Sequence, residues 1–341
     1  MFKEQLSRMI EGHTLTEFEA EQVMDIIMEG RANDAQIASF LTILHMRGES
    51  IEELTGFVRS LRNHVVQLDH GGLPLIDTCG TGGDGHSTFN ISTASAILVS
   101  SLGVKVAKHG NKAVSSKSGS ADVLDQLGIP TQSSRNEAVA SLKEKNMCFL
   151  FAPNYHVAMK HAVNARRAIG FRTVFNSLGP LANPAGSQSQ LIGVYSHEKA
   201  LKMAEALKRL GTERALLVTG GEGIDECSIS TYTDFVELRD GEISTYRRTP
   251  EEVGLVTSNS KDLVVNNAKE SADLIEKIFN DQGNEASKGI VLYNAGAALY
   301  LAGASETIKD CVQMAKEAIL NGTGRDQLKT LSANKELNVH A

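Results

Sequence analysis

Residues 80–93 read Gly-Thr-Gly-Gly-Asp-Gly-His-Ser-Thr-Phe-Asn-Ile-Ser-Thr, and this stretch leaves the chain few ways to fold. Gly80, Gly82 and Gly83 carry no side chain, so the backbone can turn sharply there and expose its N–H groups. Ahead of them the apolar run Leu73-Pro74-Leu75-Ile76 predicts a strand. Behind them Ser92 to Leu102, rich in Ala, Ile, Leu and Val, predicts a buried helix. A strand, a glycine loop and a helix in that order build an anion site from aligned amides and the positive end of a helix dipole. The expected ligand carries phosphate.

The charge balance limits how that phosphate can be held. With a formal net charge of −7, the bulk surface repels nucleic acid and anionic membranes, so local amides and a few placed cations must do the work. A chain of 341 residues can bury a full core and divide into two domains. Its first residues, Met1-Phe2-Lys3-Glu4-Gln5-Leu6, lack the basic-then-apolar order of a signal peptide. The longest small-and-apolar stretch, Gly289 to Ala304, is interrupted by Asn294 and falls short of the roughly 18 apolar residues of a membrane helix. Cys79, Cys148, Cys227 and Cys311 are scattered and form no CxxC pair, which predicts free thiols, no structural zinc and a cytoplasmic setting.

Two kinds of periodicity divide the chain. Residues 1–70 show helix spacing only. Leu6, Met9 and Ile10 fit one helical face, Thr16 can cap a helix over Phe18 to Met28 that Gly30 closes, and Ala35–Met46 and Ile51–Leu68 continue the pattern. Asp69-His70-Gly71-Gly72 ends this small all-α unit. From residue 73 onward, strand candidates at Leu75–Thr78, Val104–Lys108, Cys148–Phe151, Leu191–Val194 and Ala215–Thr219 alternate with helices such as Ser120–Leu127. The expected fold class is therefore α/β, a small all-α N-terminal domain plus a larger α/β domain with a mostly parallel central sheet. Residues 229–249 alternate differently around Asp240-Gly241 and predict a hairpin, and the last 70 residues return to helix.

The glycine loop nearly fits two familiar motifs. Gly80, Gly82 and Gly85 satisfy G-x-G-x-x-G, but the second strand runs into Lys108-His109-Gly110-Asn111 and not the acidic residue that a dinucleotide ribose requires. Gly80 to Ser87 also approximates a Walker loop, yet His86 stands where its lysine belongs. Two further loops share the chemistry: Lys108 to Lys112 supplies cations, and Ser115-Ser116-Lys117-Ser118-Gly119-Ser120 supplies hydroxyls and a glycine ahead of a helix. Strand-to-helix loops of this kind converge at the carboxyl ends of a parallel sheet.

Gly80-Thr-Gly-Gly-Asp84, Asn90-Ile-Ser-Thr93, Lys108-His-Gly-Asn111 and Ser118-Gly-Ser-Ala-Asp-Val-Leu124 together resemble the anthranilate phosphoribosyltransferases. Arg166-Arg167, the segment from Arg172 to Pro184, and Asp225-Glu226 extend the match in order over nearly the whole chain. Lys112 departs from the family's usual Arg, Val157 replaces a frequent Pro, and Thr88 stands where Ser is also common. The resemblance implies the nucleoside phosphorylase/phosphoribosyltransferase type of fold. Its helical domain spans 1–70, its α/β domain spans 73–341, a segment near 166–190 joins the two, and the site lies in the cleft between them. It also implies a homodimer associating through the helical domains.

The implied reaction is transfer of phosphoribose from phosphoribosyl pyrophosphate to the amine of anthranilate with Mg2+, in tryptophan biosynthesis. The implied substrate-binding residues are Gly80, Gly83, Asp84, Thr88, Asn90, Ile91, Ser92, Thr93, Lys108, His109, Gly110, Asn111, Ser116, Ser120 and Arg166, and the implied metal ligands are Ser92, Asp225 and Glu226. Arg166 suits the anthranilate carboxylate because a guanidinium can bind it bidentately. No residue is assigned as acid or base. The alternatives to distinguish are a pyrimidine nucleoside phosphorylase, a nucleic-acid-binding relative and an NAD(P)-dependent oxidoreductase.

Overall fold

Four amphipathic helices open the chain: α1 (Phe2–Ile10), α2 (Glu17–Met28), α3 (Asp34–Arg47) and α4 (Ile51–His64). The computed structural model describes residues 1–113 and 117–332. Thr16, Asn33 and Ser50 each close a capping box with Glu19, Gln36 and Glu53, which pairs the free N–H groups at three helix starts. The buried face of α1 is Phe2, Gln5 and Met9, whereas Ile10 is exposed. That departs from the expected Leu6–Met9–Ile10 face, because the helix begins at Phe2 and its core contact follows an i, i+3, i+7 stripe. The fourth helix stops at His64, short of Leu68. The segment beyond it runs extended, with the Val66 N–H donating to the Tyr155 carbonyl and the Leu68 N–H to that of Pro184.

The α/β part is built on seven strands, β1 (Ile76–Gly80), β2 (Val106–Gly110), β3 (Met147–Phe151), β4 (Ser189–Gly193), β5 (Arg214–Gly220), β6 (Thr233–Arg239) and β7 (Glu242–Arg248). Their spatial order is β3-β2-β1-β4-β5-β6-β7. The first five are mutually parallel and the last two antiparallel. Only Ile76 of the expected Leu73–Ile76 run enters the sheet, since the proline at position 74 cannot donate to a ladder. The β6–β7 hairpin turns at Asp240-Gly241, both with positive φ (53° and 79°), the signature of the tight turn that sequence suggested.

Helices cover both faces. Interleaved with the strands are α5 (Ile91–Ser101), α6 (Ser120–Gln126), α7 (Arg135–Lys145), α8 (Ala152–Tyr155), α9 (Lys160–Ile169), α10 (Phe175–Leu178) and α11 (His197–Arg209), and after β7 come α12 (Ala268–Phe279), α13 (Glu285–Leu301), α14 (Ile308–Leu320) and α15 (Thr323–Ser332). One core joins α5 and α12–α15 to one sheet face. A second joins α1–α4, α9, α10 and α11 to the other, so Ala162, Ala165, Phe175 and Leu178 are buried with the helical unit. Strand order reverses between β1 and β4. In open α/β sheets, ligands bind in the crevice beyond the strand ends at such a point.

Candidate active site

The glycine loop leaves β1 at that reversal, and its shape follows from what it touches. Thr81 N–H donates to the Gly193 carbonyl (2.9 Å) and Gly82 N–H to Asp225 Oδ2 (2.6 Å). Farther along, His86 N–H is taken by Asp84 Oδ1 (3.1 Å). The N–H groups of Gly83, Asp84 and Gly85 have no protein acceptor among the described residues. Those of Gly83 and Asp84 line a cleft of about 750 Å³ together with the start of α5. There Asn90 caps the helix by accepting from Thr93 N–H (3.1 Å). Unpaired amides and a helix start in one hollow favour an anion.

Gly80 and Gly193 face each other across the β1–β4 ladder, and both lie against Asp225. A Cβ on Gly80 would sit 2.4 Å from Asp225 Oδ2, and one on Gly193 would sit 1.6 Å from the Asp225 carbonyl oxygen. Two missing side chains thus let the loop after β5 lie down on the sheet and bring Asp225 and Glu226 to the glycine loop. Gly193 carried no signal in the sequence, since only strand pairing shows what lies over it.

The carboxylates meet in poor solvent. Burial, then the neighbouring Asp84, pushes the Asp225 carboxyl up to about 8, while burial and Asp225 hold that of Glu226 well above the ordinary range. Lys108 is fully buried beneath them. Its Nζ donates to the Thr78 carbonyl (2.6 Å) and to Ser92 Oγ (3.1 Å), and burial lowers its pKa. Two of the expected ligands therefore face inward: Lys108 does not line the cleft, and neither does Thr93, whose Oγ1 is buried without a partner. The cleft wall does bring together Gly80, Gly83, Asp84, Thr88, Asn90, Ile91, Ser92, His109, Gly110, Asn111, Ser120, Arg166, Asp225 and Glu226. Ser116 lies outside the described residues.

The opposite wall comes from helices packed with the N-terminal unit. Arg166 on α9 places its guanidinium 5.1 Å from the Phe175 ring centroid, and burial lowers its pKa. Arg167 points to solvent. His109 and His156 pack with ring centroids 5.2 Å apart and their planes tilted by 54°. Burial, then the pairing with His156, pushes His109 down to about 3, and burial takes His156 to about 4, so both rings are neutral near pH 7.

Arg172 is a cleft residue with no role assigned from sequence. Its Nη2 donates to the carbonyls of Thr81 (2.9 Å) and Gly82 (2.6 Å), its guanidinium lies 5.5 Å from the Tyr195 ring centroid, and its own carbonyl meets His45 Nδ1 at 3.0 Å. One residue thus ties α3 of the helical unit to the glycine loop. Its place in the matched Arg172–Pro184 segment was the available signal.

Among the described residues no three His, Cys, Asp or Glu cluster as a self-sufficient metal site. The donors at hand are oxygens, two of them carboxylates pressed together and raised in pKa, and a divalent cation would relieve that repulsion. This set fits Mg2+, which usually binds through one or two carboxylates plus substrate phosphates.

A crevice lined by unpaired amides at the reversal of a mostly parallel sheet, faced by a helical bundle, is the architecture of a two-domain glycosyl transferase. Residues 3–65 match the helical bundle domain of the glycosyl transferase family and residues 72–325 its a/b domain. Among relatives, the anthranilate phosphoribosyltransferase of Halalkalibacterium halodurans is 54% identical over 100% of both chains, and that of Geobacillus thermodenitrificans is 56% identical over 98% of each. The crystal structure of the enzyme from Thermus thermophilus matches with a TM-score of 0.90 at 37% identity, over 96% of this chain and 98% of that one. The Saccharomyces cerevisiae enzyme in complex with PRPP and Mg matches with a TM-score of 0.88 at 26% identity over 97% of each chain. The chain belongs to the anthranilate phosphoribosyltransferase family.

Proposed function

We infer that the protein transfers the phosphoribosyl group of phosphoribosyl pyrophosphate to the amine of anthranilate, giving N-(5-phosphoribosyl)anthranilate and pyrophosphate. This is the second step of tryptophan biosynthesis from chorismate. The observation that carries the reading is the convergence, in one cleft, of unpaired glycine-loop amides, the Asp225–Glu226 pair and the Arg166 guanidinium.

In the reaction the C1–O bond to pyrophosphate breaks, a C1–N bond forms, and the amine's proton passes to the departing pyrophosphate or to water. Negative charge grows on the leaving group, so fixed donors aimed at it stabilise the transition state. The amides of Gly83 and Asp84, the start of α5 and the Thr88 and Ser92 hydroxyls supply donors on that side. Lys108 acts from below by orienting Ser92 and offsetting the charge of Glu226. Asp225, Glu226 and Ser92 would hold Mg2+, which when bound supplies positive charge to the pyrophosphate oxygens. Across the cleft Arg166 pairs with the anthranilate carboxylate and Asn111 offers a hydrogen bond. His109 is held neutral and is too weak a base to remove a proton at pH 7. An arylamine held at a cationic carbon needs orientation more than deprotonation, and the two walls provide it.

The helical unit exposes Ile10, Phe18 and Met46, apolar surface that supports a homodimer through this unit. The free cysteines support a cytoplasmic setting, and no described helix is long and apolar enough to cross a membrane. The test of function is loss of anthranilate fluorescence on adding phosphoribosyl pyrophosphate, with and without Mg2+. Phosphate-dependent release of uracil or thymine, with anthranilate unconsumed, would instead establish a nucleoside phosphorylase. Light scattering in solution tests the dimer.

A further inference from the structure

A second cavity of about 750 Å³ lies at the other end of the sheet, where β1, β4 and β5 begin. Its wall is made by Arg62 of α4, the extended connection 65–72, the loop 183–188 and the α11–β5 turn. These walls are held independently of any occupant. The connection is pinned by the Leu68-to-Pro184 hydrogen bond, and the loop by Asn183, whose Nδ2 donates to the Ala107 carbonyl and whose Oδ1 accepts from Ala185 N–H.

Two side-chain atoms at this cavity lack partners among the described residues, and a third group, the Arg62 guanidinium, lacks a counter-charge. Arg62 donates from Nε to the Leu181 carbonyl (2.9 Å), but its guanidinium has no carboxylate within ion-pair distance among the described residues. Burial alone lowers its pKa to about 10. A cation withdrawn from water without a counter-charge is costly, and an incoming anion removes that cost. Ser187 is 7% exposed and its Oγ has no partner among the described residues, nor has the buried Nδ1 of His70. A planar cation, a hydroxyl and an imidazole nitrogen make a donor set for oxygen. The carboxylate on the rim, Asp69, is exposed and already accepts from Gly71 N–H (3.1 Å).

We propose that this cavity is a second binding site, for a small organic oxyanion, a carboxylate or phosphate ester, held by Arg62, Ser187 and His70. Its volume suits a metabolite and not only a bare ion, since ligand pockets run from about 300 to 1,000 Å³. An occupant bridges α4 of the helical unit to the amino edge of the sheet, the end opposite the transfer chemistry. The site therefore offers a place where a metabolite could tie the two units together without competing for the cleft.

The test is anomalous diffraction from crystals of the full chain soaked in sodium selenate, a tetrahedral probe, or in sodium trichloroacetate, a carboxylate probe. The expected result is a peak within hydrogen-bond reach of Arg62 and Ser187 for at least one probe, separate from any peak at the glycine loop. The probe that gives the peak tells phosphate from carboxylate. Arg62→Gln should abolish this peak while leaving any glycine-loop peak intact. Ser187→Ala, which removes one atom and preserves packing if Arg62→Gln fails to fold, should weaken the probe's affinity at least fivefold. No peak in the wild type with either probe, or a peak undiminished in the variants, overturns the proposal. Neither outcome bears on transferase activity, which the fluorescence assay reads separately.

Discussion

Gly83→Ala probes the link between loop shape and donor binding, because the structure supplies each contribution. Gly83 has φ +74°, where an L residue pays about 1–2 kcal/mol. Its added Cβ would fall 1.2 Å from Arg172 Nη1, so the guanidinium must leave and its hydrogen bonds to Thr81 and Gly82 break. The displaced side chain is partly exposed and regains water, so that loss is nearer about 1 kcal/mol than the full value of two charged hydrogen bonds. Together these give roughly 2–3 kcal/mol, a rise of about 30- to 150-fold in the KM for phosphoribosyl pyrophosphate. The KM for anthranilate should change far less, and Tm should move little because Gly83 is exposed. Gly85→Ala is the internal control: φ is +81° but nothing lies within 4 Å, so only the backbone cost of about 1–2 kcal/mol remains, about five- to thirtyfold. Steady-state kinetics at saturating co-substrate measures both variants. Equal effects from the two, or a Gly83→Ala KM within threefold of wild type, would refute the claim that Arg172 braces the loop.

Other expectations follow from the same geometry. Arg166→Ala should raise the KM for anthranilate by about 30-fold or more, a charged hydrogen bond being worth about 2 kcal/mol, and the KM for the donor much less; an equal rise in both would remove Arg166 from the acceptor side. Asp225→Asn combined with Glu226→Gln should flatten the Mg2+ dependence of the rate, and an unchanged Mg2+ titration would take both residues out of the metal's reach. The buried histidines set an acid limit. His109 is at about 3 and His156 at about 4 when folded but near 6.5 unfolded, so the unfolded chain binds more protons and stability falls as pH drops below about 6.5. His109→Asn should shallow that slope between about pH 6.5 and 4 in urea titrations, and an unchanged slope would contradict the buried neutral ring.

The local rules of the chain reached most of the elements and much of the cleft. Strand, glycine loop and helix over residues 73–102 were legible because each rests on nearest neighbours: apolar runs, absent side chains and capping residues. The Asp240-Gly241 hairpin and the Thr16 cap were readable for the same reason. Element ends were less so. The fourth helix stops at His64, where the chain finds partners on Tyr155 and Pro184, residues far along the sequence.

Composition and order by themselves pointed to an anion site built from amides and few cations, and placed Lys108 and no acid in the second strand. Only the packed structure decided which way side chains face. Lys108 and Thr93 sit on elements that line the cleft, yet both turn into the core, because strand and helix each present alternate faces and the sheet's covering fixes which one is buried. Gly193 and Arg172 gained their importance from Asp225 and Gly83, neighbours brought in by strand pairing and by the docking of the helical unit. Contacts between distant segments are set by the global packing of two cores, and no local pattern encodes them.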